Sequence, residues 1–370
     1  MPAIAGVEVI AAGPPDAVMS FTDALPPVHT TVTFVVITDD AGEVGVGAVE
    51  SDSFGAFDLG PLEALRTMGP GLVGEDPYQP SAIAALARSR LPSSSRAVPC
   101  AAIEVACWDL LAQREGAPLW RVLGGARDEV PAYASLPFHR EPAALHRILE
   151  QVVATGYGAA KLHVSGDPII DVETVTGVRE DFPTLELIVD AESVYDRRGA
   201  QLVGWALDEL AIRWFEAPLP DRDLDGYQKL RQSIATPVVP AGGLVDDPRE
   251  IERALRVKAW SAVRTQTMEG GVEHVRDLAA LARRAGLDVE LCSFGTSLTQ
   301  AIDLHLILGL GLGSFFEQPY PVEPWAFGTR TPVVVENGTA RAPDGPGLGL
   351  ELDRDAIDDA TLSRVSINRD

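Results

Sequence analysis

The chain has 370 residues, 46% of them hydrophobic, and its 54 acidic side chains outnumber 30 basic ones to give a formal charge of −24. That length exceeds one typical domain and supplies ample apolar material for a large core. The negative balance speaks against nucleic acid or an anionic membrane as partner, and an anionic small substrate would need a local cation, from a metal or a lysine, to offset it.

Cys100, Cys107 and Cys292 form no CxxC pair and cannot pair off evenly, which points to a reducing, cytoplasmic setting. The opening MPAIAGVEVIAAG lacks a basic stretch ahead of an apolar core, so no signal peptide is expected. The late apolar run LTQAIDLHLILGLGLGSFF carries Asp303, His305 and three glycines. It reads as a core helix running into a strand, not a membrane span.

In chain order, residues 1–125 read as an α+β unit. VHTTVTFVVITDDAGEVGVGAVE holds two β-branched runs around a DDAGE turn, a hairpin signal. Three helical segments follow, PLEALRTM, SAIAALARSRL and VPCAAIEVACWDLLAQREG. The last places Ile103, Ala106, Cys107 and Leu110 on one stripe. Residues 126–318 alternate strand and helix. The strands are expected in VPAYAS, GAAKLHV, LELIVDA, IRWFEA, TPVVPA, AVRTQ, DVELCS and SFFEQ, with amphipathic stretches between them. Eight such strands argue for a (β/α)7β modified TIM barrel, α/β in class, lacking its last helix. Residues 319–370, strand-like and rich in Gly and Pro, are expected to return to the N-terminal capping domain and complete it.

Two of these strand-like runs end in carboxylates, LIVD at Asp190 and RWFE at Glu216, 26 residues apart. Carboxylates at successive strand ends of a barrel converge on one point, the usual way to hold a hard divalent cation. After a further 26 residues comes Gly242, which has no side chain to offer. Each acid could also simply cap the following helix or bridge to a lysine. Glu192 lies two residues beyond Asp190, so it either reaches into the mouth on the same face or has left the strand and is solvated. Lys161 and His163 alternate onto one face of the second strand, and an imidazole with an ordinary pKa of about 6.5 can serve as a base near neutrality.

With that constellation in view, the chain resembles the mandelate racemase/muconate lactonizing branch of the enolase superfamily over nearly its whole length. AAIEVACWDLLAQREGAPLWRVLGGARDEVPAYAS looks like that family's domain junction, GYGAAKLHVSGDPIIDVETV like its second barrel strand, and NGTARAPDGPGLGLELD like its C-terminal return. The resemblance implies Mg²⁺ on three acidic ligands and a Lys-x-Lys pair, of which the second removes a proton α to a carboxylate. Here that pair is Lys161-Leu162-His163, the first two ligands match Asp190 and Glu216, and the third falls on Gly242. Glu192 replaces the asparagine usual two residues after the first ligand and is the candidate substitute ligand. The family's sixth-strand acid or lysine falls on Thr265, five residues before the Gly270-Gly271 pair. Its seventh-strand His falls on Cys292, and Glu317 matches an acidic position on the eighth strand.

Cys292 is then either a thiolate or a small filler, and Glu317 either a general acid or a salt-bridged structural residue. With Thr265 and Cys292 in place of an acid–base pair, two-base racemisation is disfavoured. The expectation is a lyase or isomerase acting on a small hydroxy- or sugar-acid carboxylate, with His163 as base, Lys161 beside it, and Mg²⁺ on Asp190, Glu216 and Glu192. One alternative is a metal-independent isomerase or lyase using Lys161 and His163; the other is a non-catalytic ligand-binding descendant. Specificity is expected from capping-domain loops that offer Asp23, His29, Phe54 and Phe57. A homo-oligomer is expected by the same resemblance.

Overall fold

A computed structural model describes residues 2–14, 18–22, 25–91, 97–243 and 248–368. The capping domain is built on the expected hairpin, Val28–Asp39 and Val44–Phe54, in antiparallel register from Val28↔Phe54 to Thr38↔Val44. Its turn is closed by the Asp39 carboxylate, which accepts from the amides of Ala41 and Glu43 at 2.9 and 2.8 Å. Strand Ile4–Ala12 pairs with the hairpin on one side and with the C-terminal strand Thr361–Asn368 on the other. Both chain ends therefore build one sheet.

The helix Ala97–Arg114 lies on that sheet at close range, and the sequence permits it through two glycines. A Cβ at Gly45 would stand 2.2 Å from the carbonyl oxygen of Ala106, and one at Gly47 would stand 2.1 Å from that of Ala102. Ile103, Ala106, Cys107 and Leu110 are buried as their stripe requires, and so are Val105 and Trp108 on other faces. The helix is buried around its circumference because the barrel covers what the sheet does not.

The eight expected barrel strands all form. They run Val130–Ser135, Ala159–His163, Glu186–Asp190, Phe215–Glu216, Val238–Val239, Val263–Thr265, Val289–Leu291 and Phe316–Pro319. Seven helices separate them, and the eighth strand pairs back onto the first in parallel, Phe316↔Ala132 to Pro319↔Ser135. Among the described residues no helix of four turns or more follows the eighth strand. The apolar stretch is the helix Ser297–Leu310, ended by a left-handed Gly311 before the eighth strand. No helix among the described residues is long and apolar enough to cross a membrane. The segment after residue 319 divides its attachment. A small hairpin, Val335–Glu336 and Thr339–Ala340, pairs onto the start of the first barrel strand, and only Thr361–Asn368 joins the capping sheet.

Inside the barrel the side chains form layers, as strand alternation dictates. Tyr133, Ala159, Ile188, Trp214, Val239 and Phe315 form an apolar floor. Two residues beyond Ala159, Ile188, Trp214, Val239 and Phe315 lie Lys161, Asp190, Glu216, Ala241 and Glu317, and Arg264 lies two beyond Ala262, which packs against the floor; this layer is polar except for Ala241. The step from floor to charged layer is one strand repeat.

Candidate active site

The charged layer opens into a cavity of about 330 Å³ under the capping domain. It contains every residue expected to take part in catalysis or metal binding: Lys161, His163, Asp190, Glu192, Glu216, Cys292 and Glu317. It also contains residues that the sequence reading passed over, namely Arg264 and Gln266 from the sixth strand and Phe21, Glu50 and Asp52 from the capping domain. Counting back from Gly270-Gly271 gave Thr265, but Thr265 does not line the cavity; its neighbours on either side do. An arginine between Val263 and Thr265, in an otherwise uncharged strand, was the available signal. On the fifth strand it is Ala241, beside Gly242, that faces the cavity, so neither register supplies a carboxylate.

Lys161 Nζ stands 3.0 Å from Asp190 Oδ2, 3.2 Å from Glu216 Oε1 and 2.7 Å from Glu317 Oε1. Arg264 bridges the last two, with Nε 2.8 Å from Glu216 Oε1 and Nη2 2.6 Å from Glu317 Oε2. The other oxygen of Glu216 accepts from the indole N–H of Trp214 at 2.9 Å, and Asp190 Oδ1 accepts from the Glu192 amide at 3.1 Å. All five charged side chains are nearly fully buried.

These surroundings set the protonation states. Burial alone would lower the Lys161 pKa, but Glu216, Glu317 and Asp190 outweigh it and hold the ammonium well above its usual range. Burial alone would raise Glu317, but Lys161 and Arg264 hold it below the usual carboxylate range. That favours the salt-bridged reading of Glu317 over a general acid. Burial pushes the Cys292 thiol up, with Glu317 adding to it, so Cys292 is a neutral thiol.

His163 is placed differently. Its Nδ1 donates to the Leu136 carbonyl at 2.6 Å, which fixes the tautomer and turns Nε2 toward the cavity. Nε2 lies 3.4 Å from Glu192 Oε1 and 3.6 Å from Asp190 Oδ2. Burial would lower the imidazole pKa, but hydrogen bonding to Glu192 and the charge of Asp190 raise it overall. Glu192 has just left its strand, at a left-handed φ of 47°, yet its side chain still reaches the mouth and is 31% exposed. Both halves of the sequence alternative are therefore realised.

Of the loop residues expected to set specificity, Asp23 lies outside the described residues. His29 stacks edge-on against Phe57 with ring centroids 5.4 Å apart, Phe54 is exposed, and none of the three lines the cavity. Glu50 and Asp52 face it instead. Glu50 accepts from the Thr296 amide and hydroxyl and the Thr299 hydroxyl, and Asp52 accepts from Thr30 Oγ1.

Whether these residues fit a Mg²⁺ ion turns on free oxygen ligands, since Mg²⁺ takes octahedral oxygens at about 2.0–2.1 Å. Glu216 has none to spare, Asp190 is paired with Lys161, and the fifth strand offers no side chain. His163, Asp190 and Glu192 do bring one donor atom each within 4.8 Å of one another. That set is one imidazole with two carboxylates, a donor mix less suited to Mg²⁺ than an all-oxygen one. The expected Asp190–Glu216–Glu192 ligand set is thus not assembled.

Comparison with known proteins agrees with the geometry. Residues 7–124 match the mandelate racemase/muconate lactonizing enzyme N-terminal domain, and residues 144–356 match the enolase C-terminal domain-like family. D-galactarolactone cycloisomerase of Agrobacterium fabrum is 28% identical, over 87% of this chain and 89% of its own. L-talarate/galactarate dehydratase of Salmonella typhimurium is 29% identical, over 90% and 83%. A crystal structure from Pseudovibrio sp., described as a mandelate racemase/muconate lactonizing enzyme, superposes with TM-score 0.95 at 28% identity over the whole of both chains. The L-talarate dehydratase of Polaromonas sp., crystallised with Mg and L-glucarate, superposes over all of both chains with TM-score 0.86 at 24% identity.

Proposed function

Because this chain belongs to the mandelate racemase/muconate lactonizing enzyme family of the enolase superfamily, we propose that it moves the proton α to the carboxylate of a small hydroxy or sugar acid, as a lyase or isomerase. The observation that carries this reading is His163. A single imidazole of fixed tautomer aims Nε2 into the cavity, 3.4 Å from a carboxylate that itself reaches solvent. Such a group can take a proton from substrate and pass it on through Glu192, or return it by the same route.

The other residues divide the remaining work. Lys161 and Arg264 supply fixed positive charge at the floor of the cavity, where negative charge would develop on the substrate carboxylate once the α-proton leaves. Phe21, 5.4 Å from the His163 ring and 5.6 Å from Phe294, helps close the cavity from the capping side. The side remote from His163 presents Ala241, Gln266 and a neutral Cys292, none of which is a base at neutral pH. One-base chemistry, such as syn elimination of water or isomerisation, therefore suits the cavity better than racemisation between two bases.

The test is α-proton exchange in D₂O, followed by proton NMR with galactarate, L-talarate and cis-3-hydroxy-L-proline as probes. Wild-type protein should exchange the α-proton of at least one, and His163→Gln should reduce that rate by about 10²-fold or more, the usual contribution of a positioned base. No α-exchange with any of the three would contradict the reading.

A further inference from the structure

The family relative crystallised with Mg and the acids in this mouth lead to different expectations, and the difference lies in Arg264. We infer that Arg264 and Lys161 together occupy the electrostatic place of the divalent cation, so that this site is complete without one. Asp190, Glu216 and Glu317 would suffice in number to hold an ion. Yet each of their six carboxylate oxygens already has a nitrogen between 2.6 and 3.2 Å away. An ion placed among them would have to displace a guanidinium and an ammonium that are themselves buried, and would meet the repulsion of both.

The geometry of the fifth strand points the same way. A third acidic ligand there would have to come from the cavity-facing position 241, which is an alanine, and the next residue, Gly242, adopts φ +107°, a left-handed conformation that side chains rarely accept. A Cβ on it would stand 3.2 Å from the carbonyl oxygen of Arg264. The conformation is locked by Asp221, whose carboxylate accepts from the amides of Ala241, Gly242 and Gly243 at 2.9, 2.8 and 2.7 Å. This braced turn thus presents no carboxylate to the cavity, beside the strand that brings in the arginine. Arg264 and Lys161 carry two positive charges between them, the charge of one divalent ion, on donors that cannot dissociate. Their use toward an enediolate rests on the proton-transfer reading above; the exclusion of a metal does not.

The experiment is titration of the chelator-stripped full chain with Mn²⁺, read by electron paramagnetic resonance of the free ion, with Mg²⁺ in parallel by calorimetry. Wild-type protein should show no saturable site tighter than about 10⁻⁴ M, weaker than sites that hold a cation through several carboxylates. Arg264→Met, which releases Glu216 and Glu317, should bind Mn²⁺ at least 10-fold more tightly than wild type. If that variant does not fold, the wild-type titration decides alone. One equivalent of Mn²⁺ bound at micromolar affinity by wild type would overturn the inference. So would binding abolished by His163→Gln, which would place an ion on His163, Asp190 and Glu192. Failed α-exchange with metal exclusion intact would reject the proposed reaction and leave this inference standing.

Discussion

Asp221 carries more structural weight than its sequence context suggests. PDRDLDGY reads as a turn, and the aspartate does sit in one, but its carboxylate holds three successive amides of another loop and accepts from Tyr227. Removing it would leave buried donors without a partner at roughly 1–3 kcal/mol for such a loss. Asp221→Ala should lower unfolding stability by about 2 kcal/mol or more in urea titration, and a change under 0.5 kcal/mol would show that water replaces it freely. Residue identity and residue role part company at such positions. The sequence displays Lys161, His163, Asp190 and Glu216 by strand-end spacing, because side chains two apart share a face. It hides Arg264, since whether a strand residue faces the barrel or its helices depends on a register that counting from Gly270-Gly271 missed by one.

At the scale of elements, the alternation of strand and helix was legible throughout, because amphipathic helices and short apolar strands differ in period. Less legible was how the later strands are held together. The seventh strand ends at Leu291, and the next link to the eighth is a side chain: Ser293 Oγ donates to the Glu317 carbonyl and accepts from the Glu317 amide, at 2.9 and 2.8 Å. A hydroxyl thus does what a backbone ladder does elsewhere, and no local propensity announces it. Ser293→Ala should cost about 1–3 kcal/mol, since it orphans a buried amide and carbonyl. It should also loosen the Glu317 carboxylate against Arg264. Hydrogen exchange at the Glu317 amide is the direct readout, and unchanged protection would contradict that role. The return of the C-terminal segment was visible as strand-like sequence, but its division between the barrel's first strand and the capping sheet was not, because antiparallel partners are chosen by tertiary packing.

For the whole molecule, three buried acids outside the cavity, with Glu216 inside it, make stability depend on pH in a direction opposite to the usual acid denaturation. Burial raises Glu104 to about 7, against the pull of the Glu273 amide and Arg88. Burial likewise raises Asp303 to about 7 and Asp109 to about 6. Between the ordinary carboxylate range and those values the folded state holds protons that the unfolded state has released. Their contribution is therefore full at low pH and is lost as pH rises through about 6 to 7. The −24 net charge adds self-repulsion in the same direction. The melting temperature should fall between pH 5 and pH 8, and Glu104→Gln should flatten that slope. At roughly 1.4 kcal/mol per pKa unit, the Glu104 share has a ceiling of about 3.5 kcal/mol. A melting temperature that rises over this range would contradict the assignment.

The same molecule-wide acidity makes the two fixed cations in the charged layer informative, since they are all the positive charge buried beside Asp190, Glu216 and Glu317 among the described residues, apart from His163. In the function proposed, they join His163 in a proton-transfer site that needs no divalent ion. The most direct test is α-proton exchange in D₂O by protein kept in excess EDTA, with galactarate, L-talarate and cis-3-hydroxy-L-proline. Exchange should persist in the chelator and disappear in His163→Gln. Exchange that starts only when Mg²⁺ is restored would contradict this expectation.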